Sequence, residues 1–135
     1  MKRKRKTVIL LAVVGLFVTL ILSMFLSMYI QMDRDLKNLT YYETDLSAIE
    51  DGIYRGAAET AMVKVAVEVE VIDHKITGIN ILKHDNGLGK KAEQITGKMI
   101  KMNTYDVDVV SGATSSSLVI KSAVSDALAH GKRRQ

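Results

Sequence analysis

The sequence predicts an α+β fold: a small antiparallel sheet packed with helices, preceded by one N-terminal transmembrane helix. Three observations carry this. An uncharged apolar run fills the N-terminal quarter. Valines then alternate with mostly polar residues over one stretch, the period of a half-buried antiparallel strand. Near the C-terminus apolar residues recur at helical spacing.

The apolar run extends from Val8 to Ile30, 23 residues whose only polar side chains are Thr19, Ser23 and Ser27. At 1.5 Å per residue such a helix spans a hydrocarbon core of about 30 Å. A cleaved signal peptide has a shorter apolar region and a small-x-small exit. The exit here is Met28-Tyr29-Ile30-Gln31-Met32, so residues 7–32 are read as an uncleaved anchor, with Tyr29 at the outer interface. Lys2, Arg3, Lys4, Arg5 and Lys6 precede the run, whereas Asp33, Arg34 and Asp35 follow it with mixed sign. The positive-inside bias places residues 1–6 in the cytoplasm as a basic tip and everything after the span outside the cell membrane.

The net charge of +4 misleads if read globally. Eight of the 19 basic side chains sit at the two tips, the second being the basic tail 132–135, so residues 7–131 carry 11 basic and 15 acidic groups. A basic isoelectric point that arises this way gives no surface for nucleic acid. With no Cys, disulfides and thiolate metal sites are excluded, and three scattered His argue against a dedicated metal cage.

Leu36, Leu39, Tyr42, Leu46 and Ile49 fall at helical spacing and predict a helical stalk or linker over 33–50. Asp51-Gly52 breaks that pattern and opens a domain over 51–131. A short strand over Ile53–Ala57 precedes the clearest strand, in which Val63, Val65, Val67, Val69 and Val71 share one face. Asp73-His74-Lys75 makes a turn, with His74 tolerating positive φ, and Ile76, Ile79 and Ile81 return as a strand. Asn86-Gly87-Leu88-Gly89 is a glycine-rich loop. A helix over Lys90–Met102 turns Ala92, Ile95, Met99 and Ile100 inward, although Gly97 weakens it. Alternation over Tyr105–Val110 predicts another strand. Leu118, Ile120, Val124, Ala127 and Leu128 define the last helix, with Gly131 as its stop.

Between that last strand and helix lies Ser111-Gly112-Ala113-Thr114-Ser115-Ser116-Ser117. Gly112 and Ala113 allow close approach to the backbone. The N–H groups of Thr114, Ser115 and Ser116 at the helix start offer a seat for a phosphate. The same hydroxyl run would equally serve to cap the helix, and the residues alone leave both readings open.

Asp108-Val109-Val110-Ser111-Gly112-Ala113-Thr114 resembles the Asp-x-x-(Ser/Thr)-Gly-Ala-Thr signature of the FMN-binding domain family, which includes extracytoplasmic flavin subunits of Rnf complexes and of sodium-translocating NADH:quinone oxidoreductases. The resemblance is collinear over roughly 51–130. Asp51-Gly52-Ile53-Tyr54-Arg55-Gly56 is similar to the family's opening strand, and Asp73-His74-Lys75-Ile76 to its Asp-Gly-Lys-Ile turn. His84-Asp85-Asn86-Gly87-Leu88-Gly89 is similar to its His-x-Glu-Thr-Pro-Gly-hydrophobic-Gly loop. Asp85-Asn86 replaces the Glu-Thr-Pro portion, and Ala57–Met62 replaces a glycine-rich stretch.

The resemblance implies FMN joined through its phosphate to Thr114 by a flavin transferase, with Asp108 and Ser111 among the features the transferase recognises. It implies a flavin ring against Gly87, Leu88 and Gly89, with His84 lining the same place. No catalytic residue is assigned, because the flavin carries the redox chemistry. The chain then reads as a membrane-anchored electron carrier between a membrane donor and an extracytoplasmic acceptor, rather than as a complete enzyme. The competing reading is a flavin-free or reversibly FMN-binding accessory or surface protein that retains the fold.

Overall fold

The structure is a computed structural model that describes residues 2–85 and 89–132. It divides into two units, Met1–Arg34 and Asp35–Gln135. In the first, helix α1 (Lys2–Lys37, continuing three residues into the second) is apolar from Val8 to Ile30 and turns those side chains outward; Phe17 is 64% exposed. The helix is long and apolar enough to cross a membrane.

The helix ends at Lys37, so of the helical stalk that the spacing predicts over 33–50 only the first few residues continue α1. Residues 38–45 form a non-helical strap, followed by a single 3-10 turn at Leu46–Ala48 that Asp45 caps through the Ser47 N–H at 3.0 Å. The strap's polar backbone explains the difference. Tyr42 N–H donates to Ser125 Oγ at 2.6 Å, and Ser122 Oγ donates to the Thr40 carbonyl at 2.7 Å. These peptide groups are satisfied by buried serines instead of by a helical ladder. Periodic apolar residues could not reveal partners some 80 positions away.

Strands β1 (Gly52–Glu59), β2 (Lys64–Ile72) and β3 (Lys75–Asp85) form an antiparallel sheet in the order β1-β2-β3. The valine alternation is fully expressed: Val67, Val69 and Val71 are wholly buried and Val65 nearly so. Each such burial is worth roughly 1.5–3 kcal/mol relative to an exposed side chain. Asp73 and His74, at φ 51° and 58°, make the two-residue hairpin that joins β2 to β3. Two register shifts in β3 bend it around the core.

After β3 come a 3-10 segment (Gly89–Gln94) and helix α2 (Ile95–Met102), where a single helix is predicted. Ala92, Ile95 and Met99 point inward as expected, but Ile100 is half-buried. Asn103, in the left-handed conformation at φ 54°, ends α2. Residues 106–110 form neither helix nor strand and do not join the sheet, so the predicted strand over Tyr105–Val110 is absent. Its alternation instead drives Val107 and Val110 into the core while Asp108 faces out.

Helix α3 (Thr114–Lys132) covers the inner face of the sheet with Val119, Ile120, Ala123, Val124, Ala127 and Leu128. Leu118, predicted inward, is half-buried. Gly131 does not stop the helix, which runs on to Lys132. It is packed instead: a Cβ there would meet Ile49 Cγ2 at 2.7 Å and the Tyr54 ring at 3.1 Å.

Candidate functional site

The signature segment enters α3 through a tight turn. Ala113 N–H donates to the Val110 carbonyl at 3.0 Å, and Gly112 sits at φ 78°, which an L side chain adopts only with strain. A Cβ at Gly112 would meet nothing within 4 Å, so the turn is open to solvent. Ser117, fully buried, fixes the turn from behind. Its Oγ accepts the Val110 N–H at 3.0 Å and donates to the Ala113 carbonyl at 2.8 Å.

The hydroxyl run therefore divides by role. Ser116 and Ser117 are buried, Ser115 is half-buried, and Ser111 and Thr114 are exposed. Thr114 is the first residue of α3. Ala113 before it has only a methyl side chain, which accepts no hydrogen bond. Thr114 therefore stands at the end of a 19-residue helix where the leading N–H groups and the positive dipole end lie. An anion is stabilised in such a place.

Asp108 is exposed two residues before the turn, on the same surface segment as Ser111, Gly112 and Thr114. Gly89 opens the 3-10 segment, from which Lys91 Nζ donates to the Ser111 carbonyl at 3.3 Å. The 3-10 segment and the signature turn are thereby brought together. Gly87 and Leu88 lie outside the described residues, as do Asn86 and residues 133–135. Lys91 was not legible as a site residue, being one lysine among several in a predicted helix.

His84 is almost fully buried, and its Nδ1 lies 3.0 Å from Glu93 Oε1. The pair joins the end of β3 to the 3-10 segment that carries Lys91. On the other flank, Lys121 Nζ contacts Asp106 at 2.9 Å. Tyr105 stacks on Tyr41 of the strap with centroids 6.3 Å apart and planes 11° apart. Tyr41 OH reaches the Leu118 carbonyl at 3.2 Å, one turn of α3 beyond Thr114. Burial, then the neighbouring Tyr105 and the Asp106 carboxylate, push the Tyr41 phenol above its ordinary value.

The FMN-binding domain family model matches residues 60–129, from just after β1 through most of α3. The chain belongs to the FMN-binding domain family. FMN is accordingly its cofactor, and the match covers both the turn and the glycine-rich stretch of sequence while leaving out α1, the strap and β1. Comparison with curated proteins yields no match. The open turn, the exposed hydroxyl and the amide groups at the start of α3 suit the phosphate of FMN, and a Cβ at Gly112 would meet nothing within 4 Å.

Proposed function

We propose that Thr114 carries FMN as a phosphoester and that the chain is a membrane-anchored, extracytoplasmic electron carrier. The observation that supports attachment is the exposure of Thr114 at the start of α3, where its neighbours Ser116 and Ser117 are buried. Of the hydroxyls in the run, Thr114 is the exposed one that also stands at the amide-rich helix end.

Attachment forms a bond between Thr114 Oγ and the FMN phosphorus. The bond broken is the one from that phosphorus to the leaving group of an activated flavin nucleotide, and the hydroxyl proton passes to a base of the flavin transferase. This chain needs no base of its own. Asp108 and Ser111, both exposed, serve as recognition features. The N–H groups of Thr114, Ser115 and Ser116 stabilise the phosphodiester charge, and Gly112 and Ala113 keep the approach clear. Bound FMN supplies reversible electron transfer. Gly89, at the start of the 3-10 segment that Lys91 ties to the turn, lies at the edge of the same site.

We further infer that residues 7–32 anchor the chain, with 1–6 in the cytoplasm and the FMN-binding domain over 51–131 outside. The length and apolarity of α1 and the basic tip before it support that reading. A tether in the bilayer raises the effective concentration of the redox group near a membrane donor and an extracytoplasmic acceptor.

The deciding experiment is co-expression with a flavin transferase, followed by in-gel flavin fluorescence after denaturation. A fluorescent band that Thr114→Ala abolishes supports the reading. An unmodified peptide around Thr114 overturns it. Orientation is read from a reporter fused after Gln135, whose activity inside the cytoplasm would reverse the assignment.

A further inference from the structure

Seven aromatic residues are present, five Tyr and two Phe, with no Trp. Phe17, Phe25 and Tyr29 lie in α1, and Tyr54 is buried at 5% exposure. Tyr42 packs by Ser125, eleven residues along α3 from Thr114. Only Tyr41 and Tyr105 place aromatic rings near the start of α3.

Their placement follows from helical geometry. Thr114, Leu118 and Lys121 stand at i, i+4 and i+7, one stripe of α3, and each is at least partly open to solvent. Tyr41 OH donates to the carbonyl of Leu118 at 3.2 Å, and Lys121 holds Asp106, next to Tyr105, at 2.9 Å. The two rings therefore flank the stripe that begins at the Thr114 hydroxyl. They are nearly parallel, and Tyr41 keeps 39% of its surface open. One helical turn is about 5.4 Å, shorter than the ribityl chain between the phosphate and the ring of FMN.

We propose that Tyr41 and Tyr105 form an aromatic shelf that holds the isoalloxazine ring of FMN attached at Thr114. The inference rests on the attachment reading and extends it to a residue the family match does not include, since Tyr41 belongs to the strap and the match starts at residue 60. A flat aromatic surface left half-open is the complement of a flat heteroaromatic ring. The signature turn itself offers hydroxyls, a methyl group and glycine backbone, with no aromatic ring among them. The strap thereby acquires a task beyond covering α3: it delivers one half of the shelf to a helix end that supplies the phosphate seat.

The test uses the full chain co-expressed with a flavin transferase. A tyrosine against a flavin quenches its emission by electron transfer, so native wild-type protein should fluoresce several-fold less than the same sample in denaturant. Tyr41→Leu and Tyr105→Leu should each raise native emission toward the denatured value. Tyr41→Trp and Tyr105→Trp retain the packing area and should lower it further and change the visible circular dichroism of the flavin. Attached flavin whose native emission and dichroism are unmoved by all four substitutions overturns the shelf alone. Absence of flavin from the denatured wild-type band overturns attachment, and the shelf with it. Leu variants that lose their cooperative unfolding transition leave the Trp pair to decide, by the same two spectra.

Discussion

The Ser117 hydroxyl accepts the Val110 N–H at 3.0 Å, tying the first turn of α3 back onto the segment that enters it. Ser117 also bonds the Ala113 carbonyl at 2.8 Å and is wholly buried. Ser117→Ala should leave the Val110 N–H without a partner in the interior, at about 1–3 kcal/mol. A lower urea midpoint with an unchanged m-value would register that loss. Flavin yield per polypeptide should fall as well, because the same two bonds shape the turn that presents Thr114. A midpoint within error of wild type would show that Ser117 does not hold the turn.

Gly112→Ala separates backbone conformation from steric room. The position has φ 78°, yet a Cβ would touch nothing within 4 Å. The cost is thus the left-handed conformation alone, about 1–2 kcal/mol. Thermal denaturation should show a modest loss of stability, and a deep loss of attachment would mean that the transferase reads the open turn itself. Gly112→Asn, which tolerates the left-handed region better, should recover part of the stability.

How much of this was legible in sequence differs by residue. The β2 valines announced themselves because strand alternation is local, with each residue's face fixed by its neighbours. The Asp73-His74 hairpin was legible for the same reason. The strap was not, since Tyr42 and Ser125 meet across 83 positions and no local period encodes that. Tyr105–Val110 shows the converse error: Val107 and Val110 alternate with exposed residues as a strand would, but they bury against the core without a ladder partner. At the site, the signature pointed to Thr114, and the structure adds what separates it from its neighbours: exposure against the burial of Ser116 and Ser117. Lys91 and Tyr41 were silent because each acts through a backbone carbonyl, of Ser111 and Leu118 respectively.

Gly56 and Gly131 both lie in close approach, but their surroundings differ. At Gly56 a Cβ would run into backbone atoms of Ala123 and Ala127, including Ala127 Cα at 2.8 Å. Backbone cannot rotate aside, so Gly56→Ala must lift α3 off the sheet. Overpacking of this kind costs about 1–3 kcal/mol or more. At Gly131 the neighbours are side-chain atoms of Ile49 and Tyr54, which can shift. Gly131→Ala should therefore destabilise less than Gly56→Ala in paired denaturant titrations. The reverse ranking would place the tight interface at the end of α3 instead of at its crossing of β1.

Tyr41 predicts a pH dependence with a definite sign. Its phenol is pushed up, first by burial and then by Tyr105 and Asp106, so folding favours the neutral form. A group with a raised folded-state value contributes stability that is complete below its ordinary value, about pH 10 for a phenol. That contribution is lost as pH rises through the raised value, when the phenolate must leave the shelf. Tyr41→Phe removes the titrating group and its bond to the Leu118 carbonyl while keeping the ring. The variant should be slightly less stable than wild type at neutral pH, and the gap should narrow as pH climbs above the phenol range. Urea midpoints of both proteins, measured in parallel from neutral to alkaline pH, supply the difference. A gap that stays constant across that range would show that Tyr41 titrates alike in the folded and unfolded chains.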